Sequence, residues 1–251
     1  MTTVVLLPDP PVEGQACESL VEETALSPAD GLALYRAMLG DVLETLERST
    51  IDVLVNYPTA EDLPSGSDID PETELREIAA TAMGPDRFED VRFEPQVGSD
   101  FSAKAGNAIT HLLREEGVQS AAALRPCVPR LIRSIVDEGA LKLRRADVVL
   151  GPAPRGEVYY AGFSDLIDFE GAFADRPVET LTRRAREEDL TVDFLRQRTL
   201  LDQPADLVGV VTRLQADVLA GDPVPERLWE TIQEREIAVR DGAIVSGTDS
   251  S

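Results

Sequence analysis

Arg125, Cys127 and Arg130 follow directly on an apolar run in the stretch "SAAALRPCVPRL", residues 120–131. A buried strand that stops at a proline-flanked corner is where open α/β proteins place their chemistry, because the carboxyl ends of the strands face the ligand crevice. Guanidinium groups at such a corner suit charge-assisted, bidentate contacts to an anion. Cys127 is a candidate nucleophile or redox thiol whose pKa Arg125 would lower, although a buried inert cysteine is the commoner case. A second set, Gln96, Gly98, Asp100 and Lys104, stands in "QVGSDFSAK". Lys104 is one of only two lysines in the chain, and Asp100 can serve as the N-cap of a following helix. A third set is Arg155 and Tyr159 in "PAPRGEVYYAGF". In a strand Tyr159 and Tyr160 point to opposite faces, so at most one of them meets a ligand.

Other chemistries lack their residues. Cys17 and Cys127 are the only cysteines and His111 the only histidine, which excludes a Cys/His zinc site of about four ligands. A Ser-His-Asp triad would need His111, which lies in the helix-like "GNAITHLLREEG". A structural disulfide is possible but unmotivated in a reducing cytoplasm.

The elements that must position these residues read as alternating strands and helices. Val4–Leu7, Ile51–Asn56, Val91–Pro95, Ser120–Leu124, residues 146–154, Glu157–Phe163 and Thr191–Leu195 are predicted strands. Leu32, Tyr35, Leu39, Val42 and Leu46 recur at helical spacing behind a Ser27-Pro28 start, predicting a helix over Pro28–Arg48. Further helices are predicted from Asp70-Pro71 to about Met83, over Phe101–Glu116, over Pro129–Arg144 with a break at Gly139, and over Pro177–Glu188, Pro204–Leu219 and Glu226–Val239. The last carries Trp229 on a stripe with Leu228 and Ile232, a packing anchor or, if exposed, a homodimer contact. The tail "SGTDSS" reads as disordered. This order predicts a three-layer α/β/α sandwich with a mainly parallel central sheet, formed by residues 1–220, with 221–251 as a C-terminal helix and tail.

The 251 residues carry 47 Asp and Glu against 24 Lys and Arg, a net charge of -23. Lys104 and Lys142 are the only lysines. Such an excess is relieved by salt, which shortens the Debye length to about 3 Å at 1 M, so the composition points to a molar-salt cytoplasm of the halophilic kind. It disfavours nucleic acid as a partner, since no basic patch spans the chain. No apolar run approaches the roughly 20 residues of a membrane span, and "MTTVVLLPDPP" lacks a signal peptide's basic start. A cytoplasmic protein is expected.

Four corners, near residues 8–20, 96–104, 125–129 and 154–158, fall in an order that resembles the glycosyltransferase-A-like nucleotide-diphospho-sugar transferase family of unknown function, in a haloarchaeal-type member with degenerate motifs. The similarity covers roughly residues 3–215. "ADVVLGPAPRGEVYYAGF", "LSPADGLALYRAMLGDVLETL", "PVETLTRRAREEDLTVDFL" and "LLDQPADLVGVV" carry it. The related phospholactate guanylyltransferases share the flavour of "LSP…RAML…DVLE" and "QPADL". The resemblance implies glycosyl transfer from a nucleotide-diphospho-sugar, or nucleotidyl transfer, and a divalent metal.

Position by position, the polar residues of that pattern are exchanged. The family's Pro-x-Pro-Gly-x-x-Lys-Thr-Arg-Leu loop is "PPVEGQACESL" here: Pro11 and Gly14 remain, Cys17 stands at the lysine, Ser19 at the arginine, and Glu18 between them. Gly-Ser-Asp-x-Pro-x-Leu, whose Asp is the implied metal ligand, becomes Arg125-Pro126-Cys127-Val128-Pro129-Arg130-Leu131, and a thiol is a poor ligand for a hard cation. Asp-Gly-Gly becomes Arg155-Gly156-Glu157. Gln96, Gly98, Asp100 and Lys104 match the family's second corner. No metal cofactor is therefore expected. Three readings stand: a transferase or nucleotide binder whose arginines replace the metal, a non-catalytic module binding a metabolite or protein, and a Cys127 nucleophile.

Overall fold

The structure is a computed structural model that describes residues 1–247. Seven strands form one sheet in the order β3-β2-β1-β4-β6-β5-β7. They are β1 (Thr2–Leu6), β2 (Asp52–Tyr57), β3 (Arg92–Pro95), β4 (Ser120–Leu124), β5 (Val148–Pro152), β6 (Val158–Phe163) and β7 (Val192–Phe194). Only β6 runs against its neighbours; the other pairings are parallel. The apolar runs of β1 and β4 form central strands because helices cover both of their faces.

On one face lie α2 (Pro28–Glu47), α3 (Pro71–Ala82) and α6 (Arg133–Lys142), whose Tyr35, Leu39, Leu75 and Ile135 join a core with Val4, Val53 and Ala122. On the other lie α5 (Phe101–Thr110), continued by a π-turn over His111–Glu115, and α7 (Pro177–Glu187); here Ile109 and Leu181 pack on Val5, Leu54 and Ala121. A third cluster forms where Leu34 and Met38 of α2 meet α1 (Glu18–Glu23), α8 (Pro204–Ala220) and α9 (Glu226–Glu234). Ser27 caps α2 by a reciprocal box with Asp30. A short α4 (Pro85–Glu89) precedes β3. The layers are those expected.

Three local expectations are corrected. The helix predicted from Pro129 begins at Arg133, because residues 129–132 turn through Arg130 at φ 65°. It runs unbroken past Gly139, which is there for space: a Cβ would lie 2.9 Å from the Tyr160 ring. The helix predicted to Val239 ends at Glu234, and a hairpin of β8 (Ala238–Arg240) and β9 (Ala243–Val245) follows, turning at Asp241 and Gly242 with φ 53° and 79°. Leu228 and Ile232 are buried within the chain and Trp229 is half-buried, so the apolar stripe of α9 is used internally. The expectation for the tail falls, from residue 248 on, outside the described residues.

Candidate functional site

The carboxyl ends of β1, β2, β3, β4 and β5 meet at one edge of the sheet, with the start of antiparallel β6 beside them. All four expected corners gather there. Between them is a cavity of only about 60 Å³, lined by Leu7, Asp9, Phe101, Arg125, Cys127 and Leu200 among others. Nucleotide-sized ligands use pockets of roughly 300–1,000 Å³. The segment after β7 fills the difference: Leu195, Arg198 and Leu201 donate backbone N–H groups to the carbonyls of Leu150, Pro152 and Cys127 at 2.8, 3.0 and 2.8 Å. That course buries Leu200 and Leu201 over the edge. A hollow of about 740 Å³ lies at the opposite edge around Thr2, Thr50 and Ser120, away from the strand ends that carry the candidate residues.

Each cation at this edge faces a carboxylate of the chain itself. Lys104 reaches from the first turn of α5 to Asp62, in a single turn after β2, with 2.6 Å between Nζ and Oδ1. Asp62 also accepts hydrogen bonds from the N–H and hydroxyl of Thr59. Burial is the largest single influence on the Asp62 carboxyl and would raise its pKa, but the hydrogen bonds from Lys104 and Thr59 and the Lys104 charge together hold it below its usual range. Arg125 stacks its guanidinium carbon 4.4 Å from the centre of the Phe101 ring, with Glu157 at 3.7 Å. Burial pushes Glu157 up, against the lowering pull of Arg125.

Arg155, in the left-handed region at φ 61°, turns away to α8 and makes a bidentate pair with Asp206 at 2.9 and 2.7 Å. Asp206 is tied to the start of that helix, accepting from the N–H groups of Asp202 and Gln203. Arg130 likewise pairs with Asp217 of α8 at 2.5 Å. Two of the three arginines gained at the corners are therefore struts between the sheet edge and α8. Arg125 and Lys104 both act on Asp9, and Arg155 joins Arg125 in acting on Glu157. Protein packed around Asp9 raises its carboxyl pKa, Arg125 and Lys104 lower it, and Asp202 raises it again, while the residue keeps contact with solvent at the cavity's lip.

The remaining candidates have backbone roles. Gln96 donates its amide to the carbonyls of Pro8 and Asn56 at 2.8 and 2.7 Å, tying the corner after β3 to those after β1 and β2. Gly98 is needed for approach: at φ 141°, a Cβ would lie 2.7 Å from the Lys104 nitrogen. Asp100 caps α5 by accepting from the Ala103 N–H at 3.0 Å. Pro11 is buried, and Gly14 lies in an exposed turn at φ 82°.

The tyrosines correct a sequence expectation. A bulge sets Gly151 opposite Tyr160 and Pro152 opposite Val158, leaving Tyr159 as the extra residue. Both rings then join the same core and neither reaches the crevice. The Tyr159 hydroxyl donates to the Arg196 carbonyl at 2.9 Å. Cys127 is corrected too. Its thiol is pushed up by the Cys17 thiol beside it and by burial, and Arg125 lowers it least of all. That is the opposite of an activated nucleophile.

Sequence reasoning missed Asp9, Asp62, Leu200, Leu201 and Asp202. The signal for Asp9 is "PDPP" at the end of the first strand; Asp62 stood unmarked in an acidic loop. Among the described residues no group of three or more His, Cys, Asp or Glu side chains could hold a metal ion, and no helix is long and apolar enough to cross a membrane.

No protein-family model and no curated protein matches the chain. Solved structures do. A protein from Desulfovibrio desulfuricans G20, provisionally described as a nucleotide-diphospho-sugar transferase, is similar over 94% of this chain and 95% of its own, with 19% identity and a TM-score of 0.71. The 4-diphosphocytidyl-2C-methyl-D-erythritol synthase of Anaerococcus prevotii DSM 20548 overlaps 86% of this chain and 96% of its own at 10% identity, with a TM-score of 0.48. The first likeness is one of fold, and it agrees with the layers and sheet described above.

Proposed function

We propose that this chain, which has the nucleotide-diphospho-sugar transferase fold, is a non-catalytic binding module in which the transferase crevice is closed by its own residues. One observation carries the reading: the two cations that converge at the strand ends, Lys104 and Arg125, are already answered by Asp62, Glu157 and Asp9. A diphosphate entering there would have to displace carboxylates and bear the repulsion of those that stay. Fold alone does not supply an activity. The acidic composition supports a working medium of high salt.

A second reading has one observation in its favour. Gln96, Gly98 and Lys104 stand at a single corner with Arg125 near by, the arrangement a metal-free nucleotide binder would use once the carboxylates moved aside. Turnover assays in molar KCl test the non-catalytic reading. Nucleoside diphosphate sugars, offered with a panel of alcohol, phosphate and amine acceptors with and without Mg²⁺ or Mn²⁺, are expected to stay intact. Turnover that disappears in Lys104→Ala would overturn the non-catalytic reading.

A further inference from the structure

The chain's only two cysteines are brought together by the fold. Cys17 is the last residue before α1, held in the left-handed region at φ 56°. Cys127 lies in the corner after β4 and lines the small cavity. Both are free and half-buried. Both pack against the sheet-side core and also against the cluster between α2 and α8, so they share one seam. Each thiol also acts on the Tyr35 hydroxyl, which donates to the Asp9 carbonyl at 3.0 Å. The strongest influence on the Cys127 thiol is the Cys17 thiol itself.

We propose that Cys17 and Cys127 are an oxidative modification site, closing to a reversible disulfide that staples the loop before α1 to the corner after β4. The co-reactant is a low-molecular-weight disulfide. The Cys17 thiolate attacks one of its sulfurs, forming a mixed disulfide and releasing one small thiol. Cys127 then gives its proton to solvent, attacks the Cys17 sulfur and releases the second small thiol. Two protein thiols are oxidised and one small disulfide is reduced. The order follows from the pair: the Cys17 thiol holds the Cys127 thiol protonated, and its conversion to a mixed disulfide removes that restraint. The staple joins segments far apart in sequence, where a cross-link constrains the unfolded chain most. It stands apart from the closed-crevice reading, because it needs no ligand in the cavity that Cys127 lines.

The test uses the full chain, folded in molar KCl and incubated with oxidised glutathione. Intact mass is expected to fall by two hydrogens with no adduct retained. Thiols titrated after denaturation should drop to none, and digestion should yield one cross-linked peptide pair containing Cys17 and Cys127. Dithiothreitol should reverse all three, and the oxidised form should melt higher by roughly 10 °C. In Cys127→Ala, Cys17 should keep a stable glutathione adduct. The proposal is overturned if wild-type protein carries stable adducts on both cysteines. It is equally overturned if both thiols persist in the folded protein at an oxidant level that consumes them after unfolding.

Discussion

Lys104 Nζ lies 2.6 Å from Asp62 Oδ1, so the lysine that stands where a phosphate cation would be expected instead joins α5 to the turn after β2. Both side chains are mostly covered, 16% and 24% exposed. Removing one partner leaves the other partly buried and unpaired. Lys104→Ala should cost about 1–2 kcal/mol, more than an exposed pair and less than a fully buried one. Urea unfolding in molar KCl of Lys104→Ala, Asp62→Ala and the double variant should give a favourable coupling energy; additive losses would mean the pair contributes nothing.

Gly139 is a contact residue. A Cβ there would meet the Tyr160 ring at 2.9 Å, so Gly139→Ala should destabilise by about 1–3 kcal/mol through overpacking, despite alanine's better helix propensity. Thermal denaturation of this single variant decides it: a stabilised protein would show that the helix runs clear of the ring.

The sheet, its layers and its crevice edge were readable because buried strands are short apolar runs and their helices carry a 3.6-residue stripe. Other features needed tertiary information. Gly139 reads as a break from local propensity alone; the Tyr160 ring that requires it is on another element. The terminal hairpin had a usable signal, Asp241-Gly242 between alternating apolar residues, which favours a turn with two positive φ values. The amphipathic Leu228 and Ile232 stripe outweighed it. The corner arginines were legible as cations but their direction was not. Asp206 and Asp217 lie on a helix far along the chain, and nothing near Arg155 or Arg130 in sequence announces them. The bulge at Tyr159 likewise depends on how β5 and β6 pair.

Acid should weaken the ion pairs that tie the sheet edge together. Burial is the largest single influence on Asp206 and would raise it, but Arg155 together with the N–H groups of Gln203 and Asp202 leaves its pKa lowered; Asp62 is lowered in the same way by Lys104 and Thr59 together. A carboxyl with a depressed native pKa stabilises the fold above its unfolded value of about 4, and that contribution is lost as pH falls through the native value. Glu157 has the opposite sign: its pKa is raised by burial, so its ionised form weakens the fold at neutral pH. Unfolding free energy followed from pH 7 to pH 2 at constant KCl should fall below about pH 4. Asp206→Asn should flatten that fall, and Glu157→Gln should be no less stable than wild type at pH 7. A wild-type profile flat through this range would contradict these assignments.

Leu200, 2% exposed, belongs to the segment that covers the strand ends. Leu200→Ala should cost about 2–4 kcal/mol, the usual penalty for truncating a buried leucine in a rigid core. A loss near zero in chemical denaturation would mean the covering segment is loosely seated.

The central claim is that carboxylates of the chain already occupy the anion positions around Lys104 and Arg125. Calorimetric titration of uridine, guanosine and cytidine diphosphates into the wild-type protein in molar KCl, with and without Mg²⁺, tests it most directly. No binding heat is expected for the wild type, while Asp62→Asn combined with Glu157→Gln should begin to bind, because Asp9 is then the one carboxylate of the three left to answer both cations. Saturable binding by the wild type, lost in Lys104→Ala, would contradict the account.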